Sequence, residues 1–271
     1  MTLPRLVALD VDGTLADPEG VIRRRTLDAV AAVRAAGSEV VVATGRPWRI
    51  AERTIGEIGG AGWAVCSNGS MALRLGDGHE VIRNVFLPDH MPGPVVTRLR
   101  AALPGIRFAF EFEFGAKSEP GWQDRLPPGV PIGRYVDDIL TLLHGERGPV
   151  RKVIAFHDDY DHRIADLAAL LAQHVGEEYH VGASGLPFAE VGMPGVNKAV
   201  ALAEICALLD IDRTDVLAFG DEMNDAEMLA WAGTGVAMGN ATEPALAAAD
   251  LVARSNADDG VAHHLEALLA S

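Results

Sequence analysis

The sequence predicts an α/β protein in which both ends of the chain build one doubly wound parallel sheet and the middle forms an inserted α/β module. Three observations lead there. In residues 1–83 short apolar runs alternate with segments whose apolar residues recur at helical spacing. The same rhythm returns over residues 189–271. Between them, residues 84–188 change texture, with period-two alternation and a stretch crowded with Pro and Gly. Strands that alternate with helices imply a parallel sheet wound on both faces.

Each element has its own signal. LVALD (6–10) reads as a buried strand, and TLDAVAAVRAAG (26–37) as a helix carrying Leu27, Val30 and Val33 on one face, with Gly37 as its stop. SEVVVATGR (38–46) is a second strand ending in small polar residues. PWRIAERTIGEIG (47–59) opens with Pro47 at an expected first helical position. WAVCSNGS (63–70) repeats strand and polar turn. In the middle, RFAFEFEFG (107–115) alternates Phe108, Phe110, Phe112 and Phe114 with Ala and Glu. Its aromatic face is expected to be the module's own core, and Glu111 and Glu113 to face water. SEPGWQDRLPPGVPIG (118–133) reads as a long loop, followed by strand, helix and strand in RKVIAFH, DHRIADLAALLAQHV and EYHVGA. NKAVALAEICALLD (197–210) is a helix, DVLAFGD (215–221) a strand, AEMLAWAG (226–233) a helix and GVAMGN (235–240) a strand or its end. Residues 259–269 form a last helix, on which His263 and His264 are expected to face solvent.

Composition narrows the function classes. At 271 residues the chain fits one large domain or two modest ones, and its 49% hydrophobic and 23% charged content is that of an ordinary globular protein. A net charge of −15 argues against nucleic acid or an anionic membrane as the main partner. No apolar run approaches the roughly 18 residues of a membrane span, and the N-terminus lacks the pattern of a secretory signal, so cytoplasmic residence is expected. Cys66 and Cys206 are too few for a disulfide framework and have no metal-ligand spacing; both read as small buried side chains.

Ligands of open α/β sheets sit beyond the carboxyl ends of the strands. That rule gathers ALDVD, VATGR, CSNG and FGDEMND at one edge, bringing Asp10, Asp12, Thr44, Lys198, Asp221 and Asp225 to one crevice. Carboxylates forced together raise one another's pKa unless a cation neutralises them. Mg²⁺, which takes one or two carboxylates plus substrate phosphate and water, is the simplest remedy. Thr44, Lys198 and backbone amides would hold phosphoryl oxygens, and a carboxylate can itself be the nucleophile in phosphoryl transfer.

DVDGT (10–14), ATGR (43–46), Lys198 and GDEMND (220–225) resemble, in order, the four motifs of the haloacid dehalogenase-like superfamily. CSNGS (66–70), GVAMGNA (235–241) and SNADDGVAHHLE (255–266) resemble its Cof-type, sugar-phosphatase-like subfamily, which carries a large α/β cap between the second and third motifs. The resemblance implies a Rossmann-like core over 1–83 and 189–271, a cap over 84–188 that closes over the crevice, and hydrolysis of small phosphorylated metabolites, sugar phosphates first, through an aspartyl-phosphate. It implies Asp10 as nucleophile and Asp12 as general acid and base. It places Mg²⁺ on the Asp10 side chain, the Asp12 carbonyl and Asp221, with Asp225 completing or supporting the shell. Thr44 and Lys198 would bind the phosphoryl group, Gly45, Arg46, Asn68 and Gly69 would face substrate, and Asn224 would orient Lys198 or a metal-bound water. Ala199 stands where the family commonly has Gly, a small departure on the helix that starts at Lys198.

Some readings stay open at this level. Arg46 fits a substrate contact and a salt bridge to a neighbouring acid equally well, Asn68-Gly69 also suits a plain β-turn, and Lys198 taken alone reads as a solvated helix-start lysine. A phosphomutase or phosphotransferase would use the same carboxylates, and a non-catalytic protein binding a phosphorylated ligand would keep the same fold. Carbon-halogen hydrolysis is disfavoured, because attack on an alkyl carbon needs neither the Asp12 acid nor a Mg²⁺ cluster. Oligomeric state is not encoded in any recognised motif.

Overall fold

The computed structural model describes residues 3–59, 61–76, 78–113, 115–126, 134–144 and 148–270. Phe114 and part of the Pro- and Gly-rich stretch lie outside these. The chain divides into two compact units, residues 1–84 with 197–271, and residues 85–196.

The first unit begins β1 (Leu6–Leu9), α1 (Arg24–Ala35), β2 (Glu39–Ala43), α2 (Trp48–Ile58), β3 (Trp63–Cys66), β4 (Met71–Leu75) and β5 (His79–Asn84). The second unit holds α3 (Pro92–Ala102), β6 (Arg107–Phe112), β7 (Gly115–Ser118), β8 (Arg134–Tyr135), β9 (Val150–Phe156), α4 (Ile164–His174), β10 (His180–Ala183) and β11 (Ala189–Gly192). The chain then returns to the first unit as α5 (Lys198–Leu209), β12 (Val216–Gly220), α6 (Ala226–Trp231), β13 (Thr234–Ala237), α7 (Glu243–Ala248), β14 (Leu251–Val252) and α8 (Gly260–Leu269).

In the first unit the sheet order is β14-β13-β12-β1-β2-β3-β4-β5. The strands from β14 to β3 are parallel, and β4 and β5 close the edge as an antiparallel hairpin. Both faces are covered, so β1 is buried at every position. Val7 and Leu9 pack into a core with Val30 and Val33 of α1, Ile55 of α2 and Leu265 of α8. Leu6 and Ala8, pointing the other way, join Leu202 and Ile205 of α5, Met228 and Leu229 of α6 and Ala245 of α7. This is the expected doubly wound architecture. Cys66 and Cys206 are both buried within these cores.

The second unit has its own sheet, β10-β11-β9-β6-β7-β8, antiparallel except for the β7/β8 pair. One face of β6 supplies Phe108, Phe110 and Phe112 to a core with Val95 and Leu99 of α3 and Leu167 and Leu171 of α4. The aromatic stripe is thus this unit's own core, as expected.

Several expectations are corrected. The return to the first unit falls after residue 196 and not at 189, because Ala189–Gly192 pairs with β9 and β10 in the second sheet. Pro47 caps α2 in an extended conformation, and Trp48 takes the first helical position. Glu111 does not face water: it is 1% exposed, 3.3 Å from Lys152 and 3.6 Å from Arg151, with Lys152 also 2.6 Å from Glu190. The period of two holds, but Glu111 is buried on its own face of the strand, and ionic groups there are paired. His263 and His264 are half-buried; His264 stands edge-on to Phe219 at 5.2 Å, and burial pushes its pKa down. The hairpin β4–β5 and the helices α3 and α7 carry sequence signals too weak to single out.

Candidate active site

The register of the parallel sheet assembles the site. Leu9 of β1 lies opposite Phe219 of β12 and Val42 of β2, so the residues just past these strand ends are neighbours. Asp10 continues β1, its backbone N–H donating to Phe219 O at 3.1 Å. Asp221 follows β12, and Thr44 follows β2 with its N–H donating to Val65 O at 2.8 Å.

The turn after Asp10 needs Gly13. Its φ is +80°, and a Cβ there would lie 2.0 Å from Asp221 Oδ2, so only glycine lets this backbone approach the Asp221 carboxylate. Thr14, the next residue, donates its hydroxyl to Asp221 Oδ1 at 2.7 Å.

Lys198 opens α5, which Asn197 caps by accepting from Val200 N. The lysine is fully buried rather than solvated, with Nζ 2.6 Å from Asp10 Oδ1 and 2.6 Å from Asp225 Oδ1. Asp225 is also fully buried, and its Oδ2 accepts from the backbone N–H groups of Asp221 and Glu222, both at 3.1 Å. Asp10, Asp221 and Asp225 each present an oxygen within 4.8 Å of the others.

Three buried carboxylates face one buried ammonium, and the electrostatics reflect that imbalance. Burial is the largest influence on Asp10, raising its pKa well above the usual carboxylate range; Asp225 pushes the same way, against Lys198. Asp221 is pushed up to about 7, by burial first, with the Thr14 hydrogen bond opposing and Asp225 adding to the rise. For Lys198, burial works to lower the pKa, but Asp10 and Asp225 outweigh it and the net direction is up. A cluster short of positive charge, built only of hard oxygen donors around Asp10 and Asp221, is suited to a divalent cation. Asn224 adds a buried Oδ1 that accepts no hydrogen bond.

Asp12 lies apart from this cluster. Its side chain is half exposed and faces Arg46, whose Nε and Nη2 reach its two oxygens at 2.8 and 2.5 Å. Of the two open readings for Arg46, the structure therefore displays the ion pair. Gly45 lies between Thr44 and Arg46 in a tight turn, closed by the Arg46 N–H donating to Thr44 Oγ1 at 3.1 Å. Asn68 adopts φ +55° and its Oδ1 accepts from Asn224 Nδ2 at 2.8 Å, so Asn224 bonds to Asn68 and not to Lys198. Gly69, at φ +90°, packs so closely on the start of α5 that a Cβ would lie 2.0 Å from Asn197 O. The Ser67–Gly69 turn thereby buttresses the lysine helix.

Three groups beside the cluster carry no sequence signal of their own. Thr14 sits inside DVDGT but carries no separate signal. Asn240, in GVAMGNA, donates Nδ2 to Gly13 O at 2.9 Å and to Asp221 Oδ2 at 3.4 Å, while its Oδ1 accepts from Asn256 N at 2.9 Å. Thr242 adds a hydroxyl to Asp221 O at 3.2 Å. No described helix is long and apolar enough to cross a membrane.

Comparison with known proteins agrees with this geometry. Residues 7–265 match the family model of haloacid dehalogenase-like hydrolases. The chain is 27% identical over 275 residues to the 5-amino-6-(5-phospho-D-ribitylamino)uracil phosphatase of Bacillus subtilis, covering 98% of this chain and 97% of that protein. It is 29% identical over 249 residues to the HMP-PP phosphatase of Cronobacter sakazakii, covering 90% and 88% respectively. A crystal structure of a haloacid dehalogenase-like hydrolase from Bacteroides thetaiotaomicron superposes with a TM-score of 0.78 at 25% identity, over 98% of this chain and 99% of that one. With the strand-end carboxylates, the buried lysine and a match over nearly the full length, the chain belongs to the haloacid dehalogenase-like hydrolases.

Proposed function

We propose that this protein is a Mg²⁺-dependent phosphatase of small phosphorylated metabolites, sugar phosphates foremost, working through an aspartyl-phosphate on Asp10. The observation that carries the reading is the buried cluster of Asp10, Asp221 and Asp225 around Lys198. The named relatives are phosphatases of small phosphorylated molecules, which supports the substrate class.

Mg²⁺ would be held by Asp10, Asp221 and the Asp12 main chain, where it supplies positive charge to the phosphoryl oxygens and screens the nucleophile from them. Asp225 holds Lys198 by its side chain and the Asp221–Glu222 backbone by its other oxygen, so its role is to keep the cluster in register. Lys198 and Thr44 bind phosphoryl oxygens. A free Asp10 oxygen attacks phosphorus as the bond to the leaving oxygen breaks, and Asp12 gives that oxygen its proton. In the second half Asp12 takes a proton from water, the water oxygen bonds to phosphorus, and the Asp10 carboxylate is released with inorganic phosphate.

A phosphate-release screen over sugar phosphates, nucleotides and cofactor phosphates, run with Mg²⁺ and with chelator, tests the reading. Release by the wild type in Mg²⁺, its loss in chelator and its loss in Asp10→Asn are expected. An Asp10→Asn variant that still turns over would overthrow the covalent route.

A further inference from the structure

The Arg46 guanidinium is engaged on all three nitrogens. Nε and Nη2 hold the two oxygens of Asp12, and Nη1 lies 3.0 Å from Thr54 Oγ1 on α2. The Arg46 main chain is tied to the end of β2 through Thr44 Oγ1. Asp12, by contrast, sits in the turn past β1 with half of its side chain in solvent. An exposed carboxylate on such a turn samples several rotamers, and fixing one costs conformational entropy at each turnover. A planar fork anchored on a helix selects one orientation, because both carboxylate oxygens must meet it in plane.

We infer that Arg46, braced by Thr54, is a positioning residue that aims the Asp12 carboxylate for proton transfer, and that it does not serve as a binder of the phosphoryl group. The inference rests on the role given to Asp12 in the proposed function. Arg46 itself exchanges no proton: Asp12 leaves the fork to protonate the leaving oxygen, takes a proton from water in the second half, and is recaptured between steps. Thr54 prevents the long arginine side chain from drifting, since its hydroxyl occupies the nitrogen that Asp12 does not use.

The two roles for Arg46 separate kinetically. A phosphoryl binder contributes whatever the leaving group is and whether or not Asp12 is present. A residue that only aims Asp12 matters to the first half, read in kcat/KM, where a proton must reach a poor leaving group; it matters to the hydrolysis half whatever the leaving group was, and not at all once Asp12 is gone. The test measures kcat and KM for wild type, R46M, T54V, D12N and the R46M/D12N double variant, on an alkyl sugar phosphate and on nitrophenyl phosphate.

On the sugar phosphate R46M is expected to lower kcat roughly 10- to 100-fold, short of the roughly 10²- to 10⁴-fold for losing the acid itself, with KM changed by no more than about twofold. T54V, which keeps shape and removes only the hydroxyl, should fall in the same direction by roughly two- to fivefold. On nitrophenyl phosphate both losses should shrink to a few-fold at most in kcat/KM, which reports the steps up to release of the leaving group, while kcat keeps the loss in the hydrolysis half. Adding R46M to D12N should cost nothing further. Equal losses of kcat/KM on both esters, a rise in KM in place of the fall in kcat on the sugar phosphate, or an R46M effect in D12N as large as in wild type would each overturn the positioning role. Should R46M not fold, T54V and T54V/D12N run the same cycle. A D12N enzyme with undiminished turnover would instead remove Asp12 from the proposed chemistry, and the positioning role with it, whereas the other outcomes leave that chemistry standing.

Discussion

Replacing Lys198 by methionine tests the charge balance of the site most directly. Its Nζ is 2.6 Å from both Asp10 and Asp225, and all three side chains are at most 7% exposed. Methionine keeps the length and apolar stem but leaves both carboxylates buried without their counter-ion. Removing one partner from a buried ion pair costs about 3–5 kcal/mol, most of it the penalty on the charge left behind. For a unit of this size each kcal/mol moves the melting temperature by about 2–4 °C, so K198M in chelator at pH 8 should melt roughly 6–20 °C below wild type. At pH 5 the stranded carboxylates can protonate, and the gap should narrow. Mg²⁺ should return part of the stability at pH 8, because a cation can take over the neutralisation, without returning turnover, because no cation replaces the contact with phosphate proposed for the lysine. Scanning calorimetry at the two pH values, with chelator and with Mg²⁺, reads all of this. A gap under about 3 °C at pH 8, or one equally wide at pH 5, would refute the argument that Lys198 neutralises these carboxylates.

Further outcomes follow from the same geometry. Asp221, raised to about 7, binds protons more tightly folded than unfolded; its contribution to stability is complete below the usual carboxylate range and is lost as pH rises through about 7. The metal-free protein should therefore melt lower at pH 8 than at pH 5, and Mg²⁺ should flatten that slope in a melting series. Asn240→Ala removes a donor from Asp221 Oδ2 and from Gly13 O, and should weaken Mg²⁺ binding by about 10- to 100-fold in titration calorimetry. Gly69→Ala places a Cβ against Asn197 O at a φ of +90°. It should cost at least about 1–3 kcal/mol by denaturant titration and lower turnover by shifting the start of α5. An unaltered Kd in the first of these variants, or unaltered stability in the second, would count against the contacts that motivate them.

The parallel sheet and the edge where chemistry collects were legible because both follow from local patterns: continuous apolar strands, helical periodicity and polar residues just past strand ends. DVDGT, ATGR and GDEMND could be placed at one crevice from that rule alone. Lys198 could not be understood the same way. A lysine at a helix start is ordinarily solvated, and only the tertiary placement of α5, whose first side chain reaches the residues past β1 and β12, buries it between Asp10 and Asp225. Glu111 departs from its sequence pattern for a related reason, since period-two alternation shows that a strand has two faces and not that one of them meets water; Lys152 and Arg151 lie against it. The inserted unit ends later than its sequence texture suggests, because the pairing of β11 with β9 and β10 is a long-range decision.

What the amino-acid order settled unaided was the fold class and the identity of the carboxylates and threonine past the strand ends, since hydrophobic period and turn chemistry are properties of neighbours in the chain. Only the tertiary structure decided which partner each charge takes. Arg46 meets Asp12 across 34 positions of sequence and Lys198 meets Asp10 across 188. Such pairings are chosen by desolvation and sheet register, which act between segments and leave no mark on the local pattern of either one.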